Sequence, residues 1–168
     1  MNFKPLVKLL RNGIGDSQIT GDYSLTPEQF VLISPTETSY VISTFFIHML
    51  VSIGNLHYDQ YGDIPQLING IILQVENSLG DIILDLTAAE TLNTNYDFLH
   101  YGDIETTDFN GQYKSVKFIW NFENTYLSPL VLSKNDKLVL IAHDDFMGLS
   151  KHHGMIHGRQ VPNYGVTP

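Results

Sequence analysis

The histidines near the C-terminal end are the residues whose type and spacing most suggest chemistry. His153 and His157 stand four residues apart, and on a helix that spacing places two side chains on one face, as two metal ligands require. An apolar segment ends directly before His143, and Asp145 follows, so this region could supply another imidazole and a carboxylate. These four side chains define a possible metal site, and with it a metal-dependent hydrolase as one candidate function.

The same region also has a simpler interpretation. Gly154 and Gly158 interrupt the helix, and no Glu lies between the two histidines to act as a general base. A histidine-rich turn, solvated or packed at an interface, explains these residues without a metal. The chain also lacks a nucleophile elbow, a P-loop and a dinucleotide-binding fingerprint. We therefore expect no catalytic residue, no metal and no cofactor, and we predict that the protein is not an enzyme.

The composition favours a protein that works by contact with other proteins. Asp and Glu total 18 against 9 for Lys and Arg, so the net charge of -9 argues against a nucleic acid partner. Charged residues make up 16%, well below the usual share, so neutral polar groups must cover much of the surface. The absence of cysteine excludes disulfides and thiolate metal sites. The longest apolar run, residues 40–53, is too short to span a bilayer, so no membrane partner is expected.

The elements that position these residues are predicted to be mainly strands. In residues 115–123, Val116, Phe118, Trp120 and Phe122 alternate with other residues, which indicates a strand with one face on a core. Residues 38–53 are rich in β-branched and aromatic side chains, which favours one long strand or two. Short helices are expected at residues 87–100 and 145–157. The predicted fold is a mainly β, antiparallel sandwich or jelly-roll-like domain with one or two short helices.

The chain is predicted to hold one domain with extended terminal arms. We assign residues 1–11 to an N-terminal arm, residues 12–157 to the β-rich domain and residues 158–168 to an extended C-terminal tail. Such arms order when they bind a neighbour. The predicted arm contacts are Phe3, Leu6, Val7 and Tyr164.

Exposed tyrosines suggest a second kind of binding surface, one for protein or sugar ligands. Exposed tyrosine supplies a large contact area at low entropic cost, and both protein and sugar ligands use it. A glycan- or receptor-binding module therefore remains an alternative, although the strand alternation turns Trp120 inward. The tyrosines predicted to lie mostly in loops are Tyr58, Tyr61, Tyr96, Tyr101, Tyr113 and Tyr126.

Three segments together resemble small virion structural proteins of tailed bacteriophages. The first runs from Asn12 to Phe30, a polar turn followed by the pattern Asp-x-Ser-x-Thr-Pro-x-x-Phe that begins at Asp22. The second is Leu-Ile-Asn-Gly-Ile at residues 67–71, and the third is the predicted strand 138–142 that continues to residue 149. The resemblance implies a structural subunit of a virion, such as a capsid decoration or cement protein or a neck-tail component. It also implies a homo-oligomer that contacts other virion proteins such as the major capsid protein.

Overall fold

The computed structural model describes residues 3–13, 15–52, 54, 60–65, 67–86, 103–109, 111–125 and 129–162. Within these ranges the chain forms ten strands and one single-turn helix. The strands are β1 (Lys4–Leu9), β2 (Glu28–Ile33), β3 (Thr38–Ser52), β4 (Ile71–Glu76), β5 (Ile82–Asp85), β6 (Asp103–Phe109), β7 (Tyr113–Asn121), β8 (Leu130–Leu132), β9 (Lys137–Ala142) and β10 (Lys151–Pro162), and the helix is α1 (Phe122–Thr125).

The strands form two antiparallel sheets, which confirms the predicted mainly β class. The larger sheet has six strands in the order β1-β10-β3-β7-β6, with β8 pairing to β3 beside β7. The smaller sheet has four strands in the order β2-β9-β4-β5. One apolar cluster draws side chains from both sheets, as in a sandwich.

The long strand β3 organises the larger sheet, and it is one strand from Thr38 to Ser52. Along one edge it pairs with β10. Its other edge pairs first with β8 and then with β7. A register shift between His157 and Gly158 of β10 interrupts the regular ladder.

The inward faces carry the alternating apolar residues that the sequence predicts for β7. Val116, Phe118 and Trp120 are fully buried, and Phe122 at the start of α1 is 2% exposed. On β3 the ring of Phe45 packs 5.3 Å from that of Trp120. Burying a large apolar side chain contributes about 1.5–3 kcal/mol to the free energy of unfolding, so this aromatic layer accounts for much of the stability of the two packed sheets.

A backbone bridge connects the two sheets at one corner. After β1 the chain reaches Arg11, whose amide and carbonyl both bond to Val31 of β2, at 3.2 and 2.7 Å. Residues 134–136 lie at another crossing between the sheets. They connect β8 of the larger sheet to β9 of the smaller one, so these two strands do not form a hairpin. Asn135 has a φ of 61° there, and its amide bonds to the carbonyl of Ser34.

The prediction of a helix at residues 145–157 is wrong. Residues from Lys151 onward form β10, which lies between β1 and β3 and is paired along both edges. Gly154 pairs with Ile47 in this strand, and the lack of a side chain suits the position because a Cβ there would lie only 3.1 Å from the Phe45 ring. The helix predicted for residues 87–100 lies outside the described residues.

The predicted arms also differ from the structure where it describes them. Residues 4–9 form β1, which pairs with β10 along its length, so this part of the N-terminal arm belongs to the folded body. Residues 158–162 of the predicted tail are the end of β10. Both segments form strands because each supplies backbone groups to the other. No helix among the described residues is long and apolar enough to cross a bilayer.

Candidate functional site

The outward face of the larger sheet carries two histidines side by side. Strand pairing places His153 of β10 directly opposite His48 of β3, and Lys117 of β7 directly opposite His48 on the other side. Glu105 of β6 continues the row beyond Lys117. Residues opposite one another on antiparallel strands share a face, so this row lies across four strands. His48 and His153 are called the histidine pair below.

The rings of the histidine pair meet edge to face. Their centroids are 5.0 Å apart with an interplanar angle of 78°, and Nδ1 of His48 lies 3.4 Å from Nε2 of His153. The other nitrogen of His48, Nε2, is 2.6 Å from Oγ of Ser115 on β7. Nδ1 of His153 is buried and has no hydrogen-bond partner among the described residues. A continuous polar line therefore runs from Ser115 through His48 to His153.

The surroundings of the pair disfavour the imidazolium form. Burial, then the neighbouring His48 and Lys151, lower the pKa of His153 to about 4. The pKa of His48 is also lowered, first by burial and then by Lys117 and Lys151. Lys117 itself is engaged, since its Nζ lies 3.6 Å from Glu105 and 5.8 Å from the centroid of the Phe46 ring. Both imidazoles are therefore neutral near pH 7, with nitrogen lone pairs that can bind an ion or accept a proton.

The line of Ser115, His48 and His153 resembles a nucleophile, a base and an orienting group in their order. However, Ser115 is 5% exposed and lies in the middle of β7, opposite Leu50 of β3 and Thr107 of β6. Acyl transfer also needs free N–H groups aimed at the developing oxyanion. The backbone groups around Ser115 belong to the sheet ladders. This arrangement favours a role for Ser115 in holding the His48 ring over a role as a nucleophile.

The opposite side of β10 carries a histidine with a structural role. His152 is fully buried; its Nε2 lies 2.6 Å from the hydroxyl of Tyr61, and its Nδ1 lies 2.8 Å from the carbonyl oxygen of Ile19. The Tyr61 ring stacks on Phe118, and the His152 ring packs against Phe146. Burial lowers the pKa of His152 to about 3 and raises that of Tyr61 well above its ordinary value. Both groups are neutral members of the core.

Asp144 fixes a loop and is not available for other chemistry. It is 3% exposed, and its carboxylate accepts hydrogen bonds from the amides of Ile68, Asn69 and Gly70 at 2.6–3.2 Å. Gly70 has a φ of 81°, a conformation that glycine adopts without strain. Residues Ile68 to Gly70 therefore lead into β4 as a loop that the Asp144 carboxylate holds in place.

The four predicted metal ligands do not converge. His153 and His157 lie on a strand, where four residues span about 13 Å. His143 follows β9, and Asp145 is exposed, with its carboxylate accepting the amide hydrogen of Met147. No group of three or more His, Asp or Glu side chains in the described ranges could hold a metal ion together. The sequence suggested His153 but missed His48, which lies within an apolar run and 105 residues away along the chain.

The predicted arm contacts divide between surface and core. Phe3 is 52% exposed and Val7 is 61% exposed, so both remain available to a partner. Leu6 is 3% exposed because alternate residues of β1 face the core, and it is therefore a packing residue. Tyr164 lies outside the described residues.

The predicted aromatic surface also divides. Tyr61 and Trp120 are fully buried and cannot stack on a sugar, whereas Tyr113 is 47% exposed. Tyr58, Tyr96, Tyr101 and Tyr126 lie outside the described residues.

Edge strands of both sheets expose aliphatic side chains. On β5, Ile82 and Ile83 are 59% and 55% exposed, and Leu79 in the preceding turn is 86% exposed. No strand among the described residues pairs with the far edge of β5 or with that of β1. Beside β1 lies an open groove of about 410 Å³, which is lined by Val7, Lys8, Leu9, Arg11 and Met155.

Comparison of the chain with protein families, with curated proteins and with solved structures finds no match. Function is therefore inferred from the residues and surfaces of this chain.

Proposed function

We propose that this protein is a structural subunit of a bacteriophage virion, a capsid decoration or neck-tail protein that acts through protein–protein contacts. The virion part of this proposal rests on the sequence resemblance at residues 12–30, 67–71 and 138–149. The contact part rests on the exposed apolar edges of both sheets.

The observation that carries the proposal is the exposed edge strand β5. An unpaired strand edge presents backbone N–H and C=O groups that can extend the sheet onto another chain, and natural monomers usually protect such edges with charge or proline. In β5, Ile82, Ile83 and Leu84 are all exposed, and Asp81 and Asp85 flank them. The turn before it adds Leu79, so one end of the smaller sheet offers apolar contact area together with a strand edge.

The edge strand β1 supplies a second contact surface. It bears the exposed Val7 and Lys8, the exposed Phe3 directly precedes it, and it lies beside the groove described above. Two different edges on one subunit permit head-to-tail contacts, which generate rings or filaments according to whether the rotation closes. The low fraction of charged residues fits a surface that is covered in an assembly.

Self-association tests the contact part of the proposal. Sedimentation velocity over a wide concentration range should show oligomers of the purified protein, and the substitution Ile83→Lys should shift them toward monomer by placing a charge on the edge. Leu25→Lys is the matched control, because Leu25 is 94% exposed and lies outside every strand. A protein that is monomeric at all concentrations, or a Leu25→Lys variant that dissociates equally, would argue against assembly through β5.

The virion assignment needs its own test. Particles from a phage whose genome encodes this chain should contain the protein in many copies, as detected by mass spectrometry of purified particles. Particles with the gene deleted should lose stability to heat or chelator. Native particles that lack the protein, or deletion particles that assemble and survive stress normally, would contradict this assignment.

A further inference from the structure

We propose that His48 and His153 together bind a divalent transition-metal ion such as Cu²⁺, Ni²⁺ or Zn²⁺ on the outward face of the larger sheet. This site differs from the one that the sequence suggested, because His143, Asp145 and His157 take no part. It is also independent of the assembly role proposed above.

The strand register brings the two ligands together. His153 is directly opposite His48 on neighbouring antiparallel strands, where Cβ atoms lie about 4.5–5.5 Å apart. The backbone near both residues is held on both edges of its strand, since β3 also pairs with β7 and the carbonyls of His152 and Gly154 accept hydrogen bonds from the amides of Ile19 and Leu10. A site on such strands is positioned before the ion arrives.

The distance between the two nitrogens fits two ligands of one ion. Nδ1 of His48 and Nε2 of His153 are 3.4 Å apart, which is longer than the usual donor–acceptor range of about 2.7–3.2 Å for N–H donors. Two imidazole nitrogens that each lie about 2.0–2.1 Å from a tetrahedral ion such as Zn²⁺ are separated by about 3.3–3.4 Å. Adjacent nitrogens of a square-planar Cu²⁺ or Ni²⁺ are about 2.9 Å apart, so these ions need the rings to approach by about 0.5 Å. An ion between the rings therefore needs little movement of either side chain.

Ser115 is a positioning residue for this site. In metal sites the ring nitrogen that does not bind the ion usually donates a hydrogen bond, which fixes the ring and the tautomer. Nε2 of His48 lies 2.6 Å from Oγ of Ser115, so the hydroxyl can accept this hydrogen bond. That arrangement leaves the Nδ1 lone pair directed toward His153.

The nearby side chains of Lys117 and Lys151 lower the expected affinity for a metal ion but do not block the site. Lys117 is partly neutralised by Glu105 at 3.6 Å, and Lys151 is exposed at the start of β10. His157, which is on the same face of β10 as Lys151 and His153, lies two rows away from His153, opposite Thr44. Two protein ligands leave the remaining coordination positions to water or to a side chain of a partner. Imidazole ligands suit borderline metals such as Cu²⁺, Ni²⁺ and Zn²⁺.

Titration of the untagged full chain with CuCl₂, NiCl₂ or ZnCl₂ tests the site by calorimetry. We expect one ion per chain, and we expect His48→Thr to abolish this binding, since threonine is a good strand residue. Ser115→Ala should weaken it by about tenfold, the lower range for loss of an orienting hydrogen bond. The matched control His157→Thr, on the same face of β10, should bind as the native protein does.

Electron paramagnetic resonance of the native protein with one equivalent of Cu²⁺ removes any dependence on variant folding. Coupling to two imidazole nitrogens is expected, and this two-nitrogen signal should be lost in His48→Thr. Coupling to a single nitrogen in the native protein would overturn the proposal. So would an absence of binding by the native protein, or equal losses in the His48→Thr and His157→Thr variants.

Discussion

The hydroxyl of Tyr61 lies 2.6 Å from Nε2 of His152 in the middle of the apolar core. The other ring nitrogen of His152 donates to the carbonyl oxygen of Ile19 at 2.8 Å, so Nε2 carries the lone pair that accepts the hydrogen bond from the Tyr61 hydroxyl. Both groups are fully buried. The pair joins the loop before β4 to β10 through a hydrogen bond that water cannot replace, and this makes it a point where small changes should be costly.

Replacing Tyr61 by phenylalanine should destabilise the protein by about 1–3 kcal/mol, the cost of leaving a buried acceptor without its donor. The ring stays and keeps its stacking on Phe118, so the loss isolates the hydroxyl. Urea denaturation measures the free energy of unfolding. Tyr113→Phe removes a hydroxyl from an exposed residue and should change stability by less than about 0.5 kcal/mol. Equal effects in the two variants would mean that the buried hydrogen bond has no special weight.

Stability should fall with acid because His152 is buried in its neutral form. Its folded pKa is lowered to about 3 by burial, against an ordinary value of 6.5. As the pH falls below 6.5, His152 becomes protonated in the unfolded chain but stays neutral in the folded chain. The stabilisation present above pH 6.5 therefore declines toward pH 3. One such group lowers the free energy of unfolding by up to about 1.4 kcal/mol per pH unit.

The substitution His152→Asn removes this titration and leaves the other histidines in place. Urea denaturation between pH 7.5 and 4.5, with EDTA present, should give a shallower dependence on pH for the variant than for the native protein. Parallel curves, offset by a constant amount, would show that the acid sensitivity comes from other groups.

Asp144→Asn should loosen the loop before β4. The carboxylate accepts three backbone amide hydrogens, and charge-assisted hydrogen bonds are stronger than those to a neutral amide, so a loss of about 1–3 kcal/mol is expected. Hydrogen exchange at Ile68, Asn69 and Gly70 should accelerate more than exchange elsewhere. The neighbouring Asp145→Asn, at an exposed carboxylate, should leave those three amides protected. Faster exchange in both variants would indicate a general loss of stability instead.

Much of the sheet could be predicted from local patterns, because burial on one face imposes a period of two. Val116, Phe118 and Trp120 alternate in the sequence and lie together in the core, and the apolar run of residues 38–53 contains the single strand β3. The fold class follows from such segments.

The pairing of distant strands could not be predicted in the same way. The spacing of His153 and His157 fits one face of a helix, and only the ladder with Thr38–Ser52 makes it a strand. The partner of His153 is His48, whose place on the outward face depends on register with β10, and no local signal carries that register. The candidate site therefore depends on the tertiary fold, and the sequence alone indicated His153 but not His48.

Gly158→Ala should destabilise the protein more than a surface substitution would. A Cβ at this position would lie 2.1 Å from the carbonyl oxygen of Val41, at the register shift between β10 and β3, so the strands would have to separate. Forcing atoms into a packed site costs about 1–3 kcal/mol. Gly13→Ala is the matched control, since a Cβ there meets nothing within 4 Å. Thermal and urea denaturation should show a clear loss for Gly158→Ala and little change for Gly13→Ala; similar stability for both would mean that β10 and β3 are farther apart at the bulge than this contact requires.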